Sequence, residues 1–91
     1  MLKIDLSKQA ENFLRKLPAK HAKQIAERIR ALASDPDSVQ SAELKGHSPL
    51  MRMRSGEYRV IYAITGDTLE ILIVGKRNDD KVYKLVERFR R

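Results

Sequence analysis

The sequence contains no cysteine and no tryptophan, and only three prolines, four glycines and two histidines. The lack of cysteine excludes disulfides, thiolate zinc sites and a cysteine nucleophile. Two isolated histidines, His21 and His47, do not make a histidine-built metal site. His47 sits beside Gly46 and near Pro49 in a loop pattern, and His21 falls on a basic helix; both read as surface residues. There is no phosphate-binding glycine loop and no Ser-His-Asp spacing. No apolar run approaches the ~20 residues of a membrane span. The opening MLKIDLSK lacks the apolar stretch of a signal peptide, which predicts a cytoplasmic protein with no membrane partner. The fold must therefore stand on its core alone.

What is present is positive charge and clear periodicity. A chain of 91 residues supports one domain, residues 1–91. Hydrophobic residues at 42% and charged residues at 34% fit a globular chain rather than a disordered one. The formal net charge is +7, and it is unevenly spread. Residues 1–44 carry a small surplus, eight basic against six acidic, which Asp67 and Glu70 in the stretch 60–75 cancel. The excess sits in residues 45–59, with Lys45, Arg52, Arg54 and Arg59 against Glu57, and in 76–91, with seven basic and three acidic residues. A surplus gathered this way points to a polyanionic partner, nucleic acid first and an anionic membrane surface second; charge for solubility is the plainer account.

Residues 2–6 alternate apolar and polar and predict a short strand. Ser7 can cap the next segment. Ala10, Phe13, Leu14 and Leu17 then recur on one helical face. Pro18 cannot continue that helix but can open another. The stripe resumes at Ala22, Ile25, Ala26, Ile29 and Leu32, so residues 8–34 predict a helical hairpin. Ser34 to Ser38 is a loop by turn chemistry, and its Asp35 and Asp37, like Asp79 and Asp80, are turn and cap residues before they are metal ligands. From Leu50 the period becomes two, with Met51 and Met53 on the core side. Tyr58 to Ile64 and Leu69 to Val74 are strands joined by the hairpin signal Gly66-Asp67. Val82, Leu85, Val86 and Phe89 predict a last helix over 79–90. The expected fold is α+β, ordered β-α-α-β-β-β-α, with an antiparallel sheet, an N-terminal helical hairpin and a C-terminal helix.

Arg52 and Arg54 lie two apart and share one face of their strand. If Ser55-Gly56 is a two-residue turn, Arg52 sits opposite Arg59. A longer, four-residue loop sets Arg54 opposite Arg59. Both registers gather all three arginines on one face, whereas a three-residue loop separates them. Like charges placed opposite each other destabilise a sheet by a few tenths of a kcal/mol or more. An anion in the gap removes that cost, and arginine's planar fork suits phosphate. The same spacing also fits an exposed polar face that carries charge for solubility. Lys76 and Arg77 follow the last strand directly, and Tyr83 lies just beyond, where a packing tyrosine is the commoner case.

These residues resemble the RelE/ParE superfamily of toxins from bacterial and archaeal toxin–antitoxin systems. The resemblance covers nearly the whole chain. It rests on Leu44-Lys45-Gly46, on Gly56-Glu57-Tyr58-Arg59-Val60-Ile61-Tyr62, and on Val74-Gly75-Lys76-Arg77 followed by Val82-Tyr83. The last stretch is similar to the RelE branch, a microbial-RNase-type fold whose members cut mRNA in the ribosomal A site and leave a 2′,3′-cyclic phosphate and a 5′-hydroxyl. ParE toxins inhibit DNA gyrase instead.

The resemblance implies catalytic roles for four residues. Arg59 would contact the scissile phosphate. Arg77 would stabilise transition-state charge. Tyr83 would stack on the base and assist proton transfer. Arg52 falls where well-studied RelE proteins carry a catalytic lysine, and a second lysine falls near Leu50. Arginine, with a pKa above ~12, stabilises charge but moves protons poorly at neutral pH. Lys45 resembles a position that holds ribosomal RNA, and Arg54, Lys76 and Lys81 would add RNA contacts. The resemblance implies no metal and no cofactor. It implies an acidic, RelB-like antitoxin as partner, with the toxin–antitoxin assembly binding operator DNA through the antitoxin. The alternatives are a gyrase inhibitor of the ParE kind, or a catalytically weakened toxin that survives in operon regulation.

Overall fold

A computed structural model describes residues 1–37, 39, 41–43, 49–76 and 84. The helix expected over 79–90 lies outside the described residues, apart from Lys84, as do Lys45, His47, Arg77, Lys81 and Tyr83. The described elements are strand β1 (Lys3–Leu6), helices α1 (Lys8–Lys16) and α2 (Ala19–Ser34), and strands β2 (Ser41–Glu43), β3 (Met51–Ser55), β4 (Tyr58–Thr65) and β5 (Thr68–Lys76). The strands form one sheet in the order β1-β5-β4-β3-β2.

The helical hairpin forms for the reasons its sequence gives. Ser7 Oγ accepts from the Ala10 amide at 3.0 Å and so caps α1. Pro18, with φ −53°, stands at the head of α2, where its missing N–H costs nothing. Asp35 Oδ1 accepts from the Asp37 amide at 3.1 Å and turns the chain after α2. Ala10 from α1 and Ile25, Ile29, Leu32 and Ala33 from α2 are buried against Met53, Val60, Tyr62, Leu69, Ile71 and Val74 of the sheet. The core therefore lies between the helices and one sheet face.

The α+β fold holds, with two refinements of the sheet. β2 is a strand that the sequence does not announce. Its three residues carry no apolar alternation, and pairing with β3 alone makes them extended. The sheet is also mixed rather than wholly antiparallel, because β1 runs parallel to β5. No hairpin joins these two strands, so no local turn fixes their relative direction. Ile4 and Leu6, the apolar half of β1, stay 39% and 37% exposed, so alternation here marks an edge strand and not core.

β5 reads as a continuous apolar run because it contains an irregularity. Ile61 pairs with Ile73 but Tyr62 pairs with Ile71. Leu72 is thus an extra residue that resets the alternation. Ile71 and Val74 both join the helix-side core, while Ile73 joins Ile61 in a second buried cluster, with Leu50 and Leu72 packed against it. Where β1 ends, α1 takes over the edge of β5. Ser7 Oγ donates to the Leu72 carbonyl at 2.6 Å. The Gln9 amide donates to the Val74 carbonyl at 2.9 Å and accepts from the Val74 N–H at 3.0 Å. Peptide groups that would otherwise be open to pairing are satisfied.

Candidate functional site

The β3–β4 hairpin turns at Gly56-Glu57, one residue later than the Ser55-Gly56 turn, with Ser55 paired to Tyr58. Gly56 has φ +59° and Glu57 does not share that sign. This is the pattern of a tight type II′ turn, which only glycine fits easily at its first position. The turn sets Arg54 opposite Arg59 and Arg52 opposite Ile61. All three arginines lie on the sheet face away from the helices, in the register that the longer-loop reading gave. On the other side of Arg59 stands Gly75, which adds no side chain to the row. Arg59 is half-buried, and its Nε is shielded from solvent. Arg52 is half-buried and Arg54 exposed. Leu50, near the position of a family lysine, packs against Ile61 and Ile73.

Lys76 is exposed and pairs with Tyr58 rather than Arg59. It therefore belongs to the helix side of the sheet end, and the structure does not bring it onto the arginine face. Tyr58 is buried there, edge-on to Phe13 at 6.1 Å and to His21 at 5.7 Å. His21 is thus a half-buried packing residue, not plain surface. Tyr62 is also structural; its hydroxyl donates to Ser41 Oγ at 2.8 Å and ties β4 to the short β2.

Sequence reasoning missed Arg28. It projects from α2 into a cleft of about 300 Å³ that Ser41, Ala42, Arg52 and Arg54 also line. No local pattern marks it, because the cleft exists only once α2 is packed beside the edge of the sheet. The described ion pairs are elsewhere: Lys3–Asp67 at 3.6 Å and Arg15–Glu11 at 2.7 Å. Among the described residues no group of three or more His, Cys, Asp or Glu side chains is arranged to hold a metal. No helix among them is long and apolar enough to cross a membrane. The arrangement can bind an anion and stabilise developing negative charge.

Known structures share this architecture. A double arginine-to-alanine mutant of E. coli toxin RelE in the free state superposes with a TM-score of 0.77 at 20% identity, over 97% of this chain and 96% of that one. The archaeal RelE–RelB complex from Pyrococcus horikoshii gives 0.72 at 27% identity, over 85% and 96%. The toxin–antitoxin complex RelBE2 from Mycobacterium tuberculosis gives 0.72 at 25% identity, over 84% and 98%. No curated protein matches by sequence. A helical hairpin laid on one face of such a sheet is the fold that these structures share. The model for the ParE toxin of type II toxin–antitoxin systems, parDE, matches residues 4–81, and the chain belongs to that family.

Proposed function

We propose that this protein is the toxin of a type II toxin–antitoxin pair and a ribosome-dependent, metal-independent endoribonuclease that cuts mRNA in the ribosomal A site. The ribose 2′-OH supplies the nucleophile. A bond forms between the 2′ oxygen and phosphorus, and the bond from phosphorus to the 5′ oxygen breaks. The products are a 2′,3′-cyclic phosphate and a 5′-hydroxyl. One proton leaves the 2′ oxygen and one reaches the leaving oxygen. The protein must align the groups in line and neutralise the charge that builds on the phosphate.

The observation that carries this reading is the Arg54–Arg59 pairing, with Arg52 on the same face. Like charges opposed in a sheet are a cost that a bound phosphate removes. Arg59 contacts the scissile phosphate, and Arg52 and Arg77 stabilise the transition state. Tyr83 stacks on the base and handles the proton that arginine cannot. Lys45, Arg54 and Lys81 hold the RNA, and Lys76, at the helix-side end of the sheet, adds a contact only outside the arginine row. Leu50 and Arg52 replace two lysines of well-studied relatives, so proton transfer falls to Tyr83 and to the RNA and ribosome around it. The Pyrococcus horikoshii and Mycobacterium tuberculosis relatives are toxin–antitoxin complexes, which supports an acidic, RelB-like antitoxin as partner. Its negative charge complements the arginine face.

The test runs translation and DNA supercoiling side by side in vitro. The expected result is arrested translation with message cut only when it is being translated, and gyrase unaffected. Inhibited supercoiling with intact message would replace this reading with a gyrase inhibitor of the ParE kind.

A further inference from the structure

Arg28 is exposed on α2, outside the helix–sheet core. The cleft that it shares with Arg52 and Arg54 opens where β2 stops: the pairing of β2 with β3 spans only Met51 to Met53. Three arginines and Ser41 line this space together with Ala42, and among the described residues no acidic residue lines it. Among the described residues no carboxylate lies within ion-pair distance of Arg28, Arg52 or Arg54. Glu27, the preceding residue, does not line this cleft but a neighbouring one, which Arg28 also borders. Ser41 Oγ accepts from Tyr62 at 2.8 Å, which leaves its own hydrogen for a second acceptor; that hydrogen now reaches the Val39 carbonyl at 3.4 Å, a long contact.

We infer that this cleft is a binding site for a backbone phosphate of the RNA strand, next along from the phosphate at Arg59. Arg52 and Arg54 lie about 6.6 Å apart along β3, two residues at ~3.3 Å each. They border both the arginine face and the cleft, so one strand of RNA can pass from Arg59 around the edge of β3 to Arg28. Converging planar forks fit a tetrahedral oxyanion with several acceptors. The inference deepens the ribonuclease reading and rests on it for the identity of the polyanion.

The test measures binding of the full chain to a short 2′-O-methyl oligoribonucleotide, which cannot be cut, across a range of salt and without ribosomes. Arg28→Ala should weaken binding about three- to tenfold. The slope of log affinity against log salt should fall by about 0.7, the release expected for one phosphate contact on a single strand. Arg28→Lys should keep the slope and lose part of the affinity. Because Arg28 is exposed, the melting temperature of both variants should match wild type. Unchanged affinity and slope in Arg28→Ala would overturn the inference. So would a decaglutamate peptide that binds more tightly than the RNA with the same dependence on Arg28, which would make the cleft a carboxylate site. Failure of the wild type to cut translated mRNA would overturn the ribonuclease reading alone, because the binding measurement involves no cleavage.

Discussion

The two faces of the sheet grow from the same strands and are finished differently. On the helix side, alternate residues of β3, β4 and β5 are apolar and fully enclosed, with Met53, Val60, Leu69, Ile71 and Val74 at 0% exposure. On the other side, β3 contributes Arg52 and Arg54, and β4 contributes Arg59 before Ile61. One face buries apolar area and holds the molecule together. The other buries only the smaller Ile61–Ile73 cluster and, beside it, keeps cations next to one another, at some expense to stability. Truncation of the helix-side core should therefore show up in folding, and truncation of the arginine row in activity.

The largest effects should separate the faces most cleanly. Arg59→Ala should lower the rate of message cleavage by on the order of 10²–10³, as loss of one transition-state donor does. Its unfolding free energy should change far less than that of a core truncation, because no apolar cavity is left. Arg77→Ala should lower the cleavage rate to a similar degree. Urea denaturation with a cleavage assay checks both. Ile25→Ala, on the helix side, should do the reverse: a loss of about 2–5 kcal/mol in unfolding free energy, with cleavage per folded molecule unchanged. If Ile25→Ala lost activity without losing stability, the division between faces would fail.

Smaller changes sharpen the comparison. Ser7→Ala removes a helix cap and a bond to the β5 edge, and should cost about 1–2 kcal/mol in a thermal melt, again without a change in chemistry. Arg54→Gln should raise stability by a few tenths of a kcal/mol, because it leaves Arg59 without a like charge opposite. A loss of stability there would mean that the arginine pair is not repulsive in the folded chain.

How much of this was legible in the sequence depends on how local each feature is. The helical hairpin, its break at Pro18 and the hairpin at Gly66-Asp67 follow from periodicity and turn chemistry within a few residues. The gathering of Arg52, Arg54 and Arg59 also follows, since a period of two fixes the face once the loop length is known. The choice of register needed the turn itself, with glycine at the first of its two positions. Three features were not legible because they are made by distant partners. β2 is a strand only through β3, the parallel direction of β1 comes from its docking on β5, and Arg28 meets Arg52 and Arg54 only after α2 has packed. The Leu72 irregularity hid for a different reason, since a wholly apolar run shows no break in its alternation. Tyr62 and Tyr58, both inside the motif that resembles the toxin superfamily, serve packing and the β2 tether, while the arginine between them faces the other way.

The most direct measurement is end-group analysis of a message translated in vitro with purified protein. The account predicts new fragments that carry a 2′,3′-cyclic phosphate on one side of the cut and a 5′-hydroxyl on the other. They should form without added metal and be nearly absent with Arg59→Ala at equal folded concentration. Fragments ending in a 3′-hydroxyl and 5′-phosphate, or cleavage that survives Arg59→Ala at the wild-type rate, would contradict it.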